Sequence, residues 1–486
     1  MAKRVSAAKM SGLVGNLQGI AGADHVVLDA AERDYYSVDL FFTGPTAAIV
    51  VQPGTRQELS SVVAAVTREG VAVVPRGGGV SYTRGYVPQR PESVLIDTRR
   101  IDRIVEIRPD DMFVTVEAGC TWAALLQALA PHGVRVPHFG PASGRVSTIG
   151  GGLSQNTVFF GSGIAGTAAD CVLSLEVVLA SGEVLHTGSA AIDGASPFLR
   201  YHGPDLGGLF LGDCGALGVK AAATLRLQPV PGGVAFASFT FSSFEAMIAA
   251  QTGIARQQIA AECLGVGSYP LTSTAASLHL VVEGRDEADA AARLKILRSS
   301  ASAKGDEVEP VVPRAFRADP FGFVQSPLDA QGRLQAWTHG IVPLSRAAAV
   351  HAALIAFLDS HADDMARHAI EASVSGVVAG NLFLLEPILT WRDAPRPIHR
   401  RVMATPADDT QAAHSANPSA ARAVAELRDG LRDLFARERA AHMQIGKYYS
   451  YLGGLEPAAR AAIEGIKGVL DPHGLMNPGA LGLADR

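Results

Sequence analysis

The stretch Val73-Val74-Pro75-Arg76-Gly77-Gly78-Gly79-Val80-Ser81-Tyr82-Thr83 decides how the rest of the chain is interpreted. A β-branched pair ends at a proline and leads into three glycines and then into small hydroxyl residues. Glycine has no Cβ, so its backbone can adopt positive φ angles and approach a ligand closely. Successive N–H groups in such a turn form a concave nest that suits phosphate oxygens. The glycines alone leave two interpretations open, a phosphate-binding loop and a flexible surface loop.

A second stretch, Ile149-Gly150-Gly151-Gly152-Leu153-Ser154-Gln155-Asn156, repeats the order of an apolar residue, a glycine triplet and small polar residues. It is followed by Val172-Leu173-Ser174-Leu175-Glu176-Val177-Val178-Leu179, a segment typical of a strand. Two phosphate-cradling loops in one domain predict a ligand with a long body that contains a pyrophosphate.

In their order and spacing, these stretches resemble the flavoproteins of the vanillyl-alcohol oxidase and p-cresol methylhydroxylase type. That family includes D-lactate dehydrogenases, glycolate oxidase subunits and alkyl-dihydroxyacetone-phosphate synthase. The resemblance is dense over about residues 45–230 and returns near the C-terminus. It rests on residues 75–82, 149–156, 176–188 (EVVLASGEVLHTG), 211–219 (LGDCGALGV) and 470–479 (LDPHGLMNPG).

The resemblance implies an α+β protein: a PCMH-type FAD-binding domain of two subdomains, and an α+β cap with a central antiparallel sheet that binds substrate. The expected limits are residues 1–230 for the FAD-binding domain, 231–445 for the cap, and 446–486 for a segment that returns to the FAD-binding domain. A shift in composition at Pro229-Val230-Pro231-Gly232-Gly233 supports the first boundary. The implied FAD contacts are Pro75, Arg76, Gly77, Gly78, Gly79, Ser81, Tyr82, Pro141, Ser143, Gly150, Gly151, Ser154, Asn156, Gly218 and Val219.

Local patterns predict several further elements. A helix over residues 55–69, with Thr55 as its N-cap, lies between two apolar strands and completes a β-α-β unit. Residues 302–335 are polar and contain prolines, which predicts a long loop in the cap. Asn417-Pro418-Ser419 predicts the start of a helix that runs to about Arg439.

The composition is typical of a globular enzyme, with 48% hydrophobic and 18% charged residues among 486. A formal net charge of −5 without a dense basic run argues against a nucleic-acid partner. No segment reaches the ~18 consecutive apolar residues of a membrane-spanning helix, and no signal-peptide pattern follows the basic N-terminus. Four cysteines without CxxC spacing predict reduced thiols in a cytoplasmic protein, and no metal site is expected: Cys120, Cys171, Cys214 and Cys263.

Hydrolase and nucleotide-triphosphatase motifs such as HExxH, GxSxG and GxxxxGK(S/T) do not occur. In an FAD enzyme the cofactor carries the redox chemistry, and the protein orients substrate and supplies a base for its hydroxyl proton. Three catalytic candidates follow from the resemblance. Tyr448 and Tyr82 occupy positions near those at which phenol-oxidising relatives grip a phenolate, and His339 lies on a cap strand that faces the flavin in relatives. A packed structural role is the alternative for each of them.

The departures from the family pattern are also informative. Tyr449 stands where phenol-oxidising relatives carry an arginine, which weakens phenolate binding. The metal-binding His-x-Gly-Asp-Gly-Asn-x-His stretch of the 2-hydroxy-acid relatives has no counterpart, which weakens a metal-assisted mechanism. Val80 lies where many relatives carry the histidine that links FAD covalently, so non-covalent FAD is predicted, with His339 as the remaining candidate for a link from the cap.

The leading hypothesis is an FAD-dependent oxidoreductase that oxidises a CH–OH group or a benzylic carbon of a small molecule by hydride transfer to flavin N5. The tyrosines slightly favour an aryl or phenolic alcohol, and a 2-hydroxy acid of the D-lactate or glycolate type is the alternative. A hypothesis of another class is a flavin-binding subunit of a larger complex without its own turnover. The sequence leaves the electron acceptor open among oxygen, a quinone and a cytochrome, and it is compatible with a homodimer.

Overall fold

A computed structural model describes residues 7–269, 276–301, 305–322, 327–402 and 414–483. Three main β-sheets are present, of four, five and eight strands, and a hydrophobic core lies against each of them. The predicted α+β class is therefore confirmed, and so is the antiparallel sheet of the cap.

The first sheet has the strand order β1-β2-β4-β3, and its last three strands are parallel. The predicted helix between β2 and β3 is present, and the Oγ1 atom of Thr55 accepts the N–H of Glu58 at 3.1 Å as its N-cap. The elements are α1 (Ala7–Ala21), β1 (Val26–Val27), α2 (Ala30–Tyr36), β2 (Ile49–Val51), α3 (Arg56–Arg68), β3 (Ala72–Arg76) and β4 (Ser93–Asp97).

The C-terminal segment closes the open edge of β3. Val73 donates its N–H to the carbonyl of Leu475 and accepts the N–H of Asn477, both at 2.8 Å. The Asn477 side chain then donates to the carbonyl oxygens of Gly85 at 2.7 Å and Cys214 at 2.5 Å. The C-terminal segment therefore holds together the loop after β3, which contains Gly85, and the loop that contains Cys214.

The second sheet is antiparallel and has the order β5-β6-β10-β8-β9. A two-stranded ribbon of β7 and β11 lies beside it. The elements are β5 (Ile104–Arg108), β6 (Phe113–Glu117), α4 (Trp122–Leu129), β7 (Val134–Arg135), α5 (Ile149–Gln155), α6 (Ser162–Ala165), β8 (Val172–Val178), β9 (Val184–His186), α7 (Leu206–Leu209), β10 (Val219–Arg226) and β11 (Gln228–Pro229).

The prediction that the second glycine stretch forms a phosphate-binding loop is wrong, because residues Ile149–Gln155 form helix α5. Glycine in a helix costs roughly 1 kcal/mol relative to alanine, and close packing explains why glycine stands here. A Cβ on Gly150 would lie 2.7 Å from the Cβ of Ala118, and one on Gly152 would lie 2.7 Å from Nε1 of Trp122. Tertiary packing therefore overrides the local preference for a loop.

The cap is built on the eight-stranded antiparallel sheet of order β15-β12-β14-β13-β18-β19-β16, and β17 also pairs with β19. Helices α8, α9, α11 and α14 contribute buried side chains to its core. The elements are β12 (Gly233–Phe241), α8 (Phe244–Ala255), β13 (Ala260–Tyr269), β14 (Ala276–Gly284), α9 (Glu287–Ala301), β15 (Gly305–Val308), α10 (Val311–Ala318), β16 (Leu334–Trp337), β17 (Gly340–Pro343), α11 (Ala347–Ser360), α12 (Ala362–Arg367), β18 (Glu371–Ala379), β19 (Leu382–Trp391), α13 (Pro397–Arg401) and α14 (Pro418–Arg437). Helix α15 (Pro457–Leu470) follows in the C-terminal segment, where its Ile466 and Leu470 pack against the core of the second sheet.

The long loop predicted for residues 302–335 is wrong where the structure describes it, since β15, α10 and the start of β16 lie there. Residues 302–304 and 323–326 of that stretch lie outside the described residues. The predicted start of α14 is confirmed, because the Asn417 side chain accepts the N–H of Ala420 at 3.2 Å. No helix in the described part of the chain has the length and hydropathy needed to cross a bilayer.

Candidate functional site

A cavity with about 920 Å³ of empty space lies beyond the carboxyl end of β3. That position follows from the first sheet, because open parallel sheets bind ligands outside the carboxyl ends of their strands. Every FAD contact implied by the sequence lines this cavity except Asn156. Asn156 instead ends α5 with a left-handed backbone, and its Oδ1 accepts the N–H of Ala169 at 3.1 Å. We call this space the flavin cavity.

The first glycine loop forms one wall of the flavin cavity. Among the described residues, no acceptor takes a hydrogen bond from the N–H groups of Gly78, Gly79 and Val80. Gly79 has a φ of +76°, and a Cβ on Gly78 would overlap the carbonyl oxygen of Val146. The loop therefore presents unpaired donors in a space that only glycine leaves open, which suits phosphate oxygens.

Arg76 places a positive charge behind this loop. Its side chain is 2% exposed, and its Nε and Nη2 atoms have no hydrogen-bond partner among the described residues. The guanidinium carbon lies 4.9 Å from the ring centre of Tyr36 and 5.1 Å from that of Tyr86. Because a buried cation needs a compensating group, its unpaired donors beside the cavity fit an anionic ligand.

The second glycine stretch lines the flavin cavity but leaves no free backbone N–H donors at Ile149, Gly150 and Gly151. The N–H groups of Ile149 and Gly150 bond to the carbonyls of Cys120 and Ala118, both at 2.8 Å, and that of Gly151 bonds to Thr148 Oγ1 at 3.2 Å. The expectation that this stretch cradles a second phosphate is therefore wrong for its backbone, because the N–H groups are already used.

Asp213 and Cys214, in the loop that precedes β10, are both buried, and Cys214 lines the flavin cavity. Asp213 forms a buried ion pair with Lys220, with Oδ1 2.6 Å from Nζ, and also accepts the N–H groups of Gly215 and Leu217. Cys214 accepts the N–H of Gly446 at 3.1 Å, and burial raises the pKa of its thiol to about 12. These side chains hold the loop that precedes β10, and Lys220 lines the flavin cavity.

A second cavity, of about 360 Å³, adjoins the first under the cap sheet. We call it the cap cavity. The two cavities share the wall residues Pro141, Thr157 and Gln444. The rest of its wall is mostly apolar, and Glu386 on β19 is the one ionisable side chain among the described residues that line it: Ala142, Val158, Phe159, Val377, Leu384, Glu386 and Met443.

Tyr82, Glu386 and Gln444 meet where the two cavities join. The Tyr82 hydroxyl donates to Oε1 of Glu386 at 3.2 Å and accepts from Nε2 of Gln444 at 3.3 Å. The Ser375 hydroxyl donates to Oε2 of Glu386 at 3.5 Å. Burial raises the pKa of Glu386 to about 7, although these hydrogen bonds oppose the shift. A carboxyl group with a pKa near neutrality can take a proton from a substrate hydroxyl.

Of the three predicted catalytic residues, Tyr82 lines the flavin cavity, whereas Tyr448 and His339 line neither the flavin cavity nor the cap cavity. Tyr448 packs between Phe42, at a ring distance of 5.1 Å, and the guanidinium groups of Arg428 and Arg432. His339 is fully buried, and its Nε2 donates to the carbonyl of Met443 at 2.6 Å. Burial, with His442 nearby, lowers the pKa of His339 to about 3, so it is a neutral packed side chain.

Sequence reasoning missed Glu386 and Gln444. Glu386 lies in Leu384-Leu385-Glu386-Pro387, where a single charge interrupts an apolar strand, and that interruption is the available signal. Gln444 carries no comparable signal, because an isolated glutamine is common in loops. Its position at the cavity is set by the return of the chain from the cap.

Three comparisons agree with this geometry. Residues 47–188 match the FAD binding domain family. The chain is 31% identical over 215 residues to the glycolate oxidase subunit GlcD of Bacillus subtilis, which covers 44% of each chain. It is 28% identical over 211 residues to a D-lactate dehydrogenase of Archaeoglobus fulgidus, which covers 43% of this chain and 45% of the relative. The alignments thus span less than half of these relatives.

Over nearly its whole length, the structure resembles the crystal structure of p-cresol methylhydroxylase with substrate bound. The TM-score is 0.77 at 17% identity, and the match covers 99% of this chain and 98% of the other. At this identity the likeness concerns the fold. The predicted FAD binding domain and the predicted family fold are therefore confirmed.

Proposed function

We propose that this chain, which contains an FAD binding domain and has the fold of p-cresol methylhydroxylase, is an oxidoreductase that acts on an uncharged alcohol. The preferred substrate is a small aryl or phenolic alcohol with a CH–OH group or a benzylic carbon. The observation that carries this proposal is the position of Glu386, a buried carboxyl group with a pKa of about 7 at the junction of the two cavities.

The residues present fit FAD, through the unpaired N–H groups of the first glycine loop and the unpaired Nε and Nη2 atoms of Arg76. FAD, when bound, supplies the acceptor for a hydride from the substrate carbon. Glu386 in its carboxylate form accepts the substrate hydroxyl proton, and the apolar wall around it excludes water. Tyr82 hydrogen-bonds to this carboxylate and orients it.

The charge of the cap cavity favours an uncharged substrate over a 2-hydroxy acid. No arginine, lysine or histidine occurs among the described residues that line this cavity, so nothing there would neutralise a substrate carboxylate. A second anion beside Glu386 would also be repelled in a site of low dielectric. The described residues contain no group of three His, Cys, Asp or Glu side chains that could hold a metal ion.

A 2-hydroxy-acid dehydrogenase remains the second candidate, because both relatives compared above bear glycolate or D-lactate names. Matched substrates separate the two candidates: 4-hydroxybenzyl alcohol and 4-hydroxymandelate differ by one carboxylate at the reacting carbon. The purified protein, loaded with FAD, is mixed without oxygen with each compound, and with D-lactate and glycolate, while flavin absorbance is followed.

We expect bleaching by the uncharged alcohol and little bleaching by the acids. Bleaching by the acids alone would overturn the proposed substrate class in favour of the second candidate. Stable FAD without bleaching by any compound would favour a flavin-binding subunit. Reoxidation of the bleached protein by air, a quinone or a cytochrome then identifies the class of electron acceptor.

A further inference from the structure

Gln444 occupies the boundary between the two cavities with a disfavoured backbone. It lines both cavities, and its φ is +48°, in the left-handed region that non-glycine residues seldom adopt. Such strain persists only where surrounding contacts impose it, and it is concentrated at functional sites.

The contacts that impose this conformation come from both sides of the residue. The N–H of Gln444 donates to the carbonyl of Gln155 at the end of α5, at 2.7 Å. The preceding carbonyl, of Met443, accepts from His339 at 2.6 Å, and the N–H of Gly446 donates to Cys214 at 3.1 Å. The segment is therefore fixed to both the FAD-binding part and the cap, and the side chain of Gln444 is held at their junction.

The amide of Gln444 determines the direction of one proton. Nε2 of Gln444 donates to the Tyr82 hydroxyl oxygen at 3.3 Å, so the Tyr82 proton points away from Gln444 and toward Glu386, 3.2 Å away. We infer that Gln444 is a positioning residue that aims the Tyr82 hydroxyl proton at the Glu386 carboxylate and so keeps that carboxylate ready to accept a substrate proton. This inference rests on the proposed function.

The other groups around Glu386 leave this role to the Tyr82 hydroxyl. Ser375 on β18 supplies a longer hydrogen bond of 3.5 Å, and the Tyr449 hydroxyl is bonded instead to the N–H of His339 at 2.9 Å. Arg428 on α14 directs its Nη2 to the carbonyls of Tyr82 and Trp337 and not to the carboxylate. Without Gln444, the Tyr82 hydroxyl can rotate away, and Glu386 then loses its closest donor.

The test uses Gln444→Gly in the FAD-loaded protein, because glycine tolerates the left-handed backbone and the variant should remain folded. Gln444→Asn keeps an amide but shortens its reach, so it should behave like Gln444→Gly. Gln258→Gly is the matched control, since Gln258 also has a positive φ, of +55°, but is exposed and lines neither cavity. Two quantities are measured: the infrared titration of the Glu386 carboxyl band, assigned with Glu386→Gln, and the pH dependence of flavin reduction.

We expect the carboxyl midpoint to rise by about one pH unit in both Gln444 variants, because one hydrogen bond to the charged form is lost. Flavin reduction below neutral pH should slow about tenfold, in proportion to the smaller carboxylate fraction. The Gln258 control should match the parent protein in both measurements.

An unchanged midpoint in Gln444→Gly overturns the inference, even if activity or stability falls, because a merely structural residue would not move the titration. Failure of the proposed function gives a different result: no substrate bleaches the parent protein, while the carboxyl midpoint still shifts in the Gln444 variants.

Discussion

The Tyr82 hydroxyl and the Glu386 carboxylate are 3.2 Å apart, although the two residues are separated by 304 positions in the chain. Tyr82 follows the first glycine loop of the FAD-binding part, and Glu386 lies on β19 in the cap sheet. Their hydrogen bond therefore joins the FAD-binding part to the cap sheet where the two cavities meet. The proposed chemistry at this point therefore depends on how the two parts dock, and not on either part alone.

Replacement of Glu386 by glutamine should slow flavin reduction by roughly 10²–10⁴-fold, the usual contribution of a positioned base. In the parent protein, the rate should rise with pH through about 7, because the active form is the carboxylate and its pKa is raised to that value. Glu386→Gln should lose this dependence. Anaerobic stopped-flow reduction across pH measures both effects, and a parent profile without a step near neutrality would argue against Glu386 as the base.

Tyr82→Phe and Tyr448→Phe form a matched pair, since each removes one phenolic oxygen from a buried ring. Tyr82→Phe removes the hydrogen bond to Glu386 and should shift the rate profile to higher pH by about one unit. Tyr448→Phe should leave reduction nearly unchanged, because Tyr448 packs on Arg428 and Arg432 outside both cavities. Reduction assays at several pH values check the pair; a larger loss in Tyr448→Phe would restore that residue as a catalytic candidate.

The sequence was sufficient to predict the flavin cavity because its first wall is a contiguous motif. Residues 75–82 act through their backbone and through Arg76, so local chemistry and local order carry the information. The N-caps at Thr55 and Asn417 were predictable for the same reason. Helix α5 was not, because its glycines serve contacts with Ala118 and Trp122 that lie on other elements.

The proposed catalytic site was harder to predict, because it is assembled from distant segments. The role proposed for Glu386 depends on its burial opposite Tyr82, and Tyr448 and Tyr449 differ only in which neighbours surround them. The family pattern indicated the C-terminal tyrosines, but the fold directs Tyr448 to an arginine pair and Tyr449 to His339. The spacing of residues in the sequence cannot show which tyrosine contacts the arginines and which contacts His339. The packing of the folded chain determines both contacts.

Gly78→Ala should reduce FAD occupancy, because the new Cβ would overlap the Val146 carbonyl and move the loop. Forced repacking of this kind costs about 1–3 kcal/mol, so FAD should bind at least several-fold more weakly. Flavin absorbance per protein and circular dichroism separate loss of cofactor from loss of fold. Gly465→Ala is the control, since a Cβ at Gly465 meets nothing within 4 Å. Full FAD occupancy in a folded Gly78→Ala protein would show that this loop does not hold the cofactor.

Acid precipitation should release FAD into the supernatant. No histidine lies among the described residues that line the flavin cavity, and Val80 stands on the wall of that cavity. His339 is also turned away, with its Nε2 bonded to the Met443 carbonyl. The flavin absorbance of the supernatant and of the redissolved pellet measures how much FAD is released. A yellow pellet would contradict non-covalent binding, and peptide mass spectrometry would then locate the link.

Glu262, on β13, should make the protein less stable as pH rises. Its Oε1 accepts the N–H of Gly161 at 3.0 Å, but its Oε2 is buried and has no hydrogen-bond partner among the described residues. Burial raises the pKa of Glu262 from 4.5 to about 7, more than the nearby charge of Arg317 lowers it. The folded protein thus holds a proton that the unfolded chain releases between these two values. Its contribution is fully present below the unfolded pKa and is lost as pH rises through the folded pKa.

Glu262→Gln removes this titration while an amide oxygen can still accept the Gly161 N–H. The free energy of unfolding of the parent should fall by on the order of 2–3 kcal/mol more than that of the variant between pH 5 and pH 8. Denaturant titrations of both proteins at several pH values measure the difference, with the exposed Glu464→Gln as the control. Glu386 titrates in the same direction in both proteins, so its contribution cancels in the comparison. Parallel stability profiles for the parent and Glu262→Gln would contradict this prediction. They would mean that Glu262 stays ionised in the folded protein, with its charge compensated by Arg135 on β7 and Arg317 on α10.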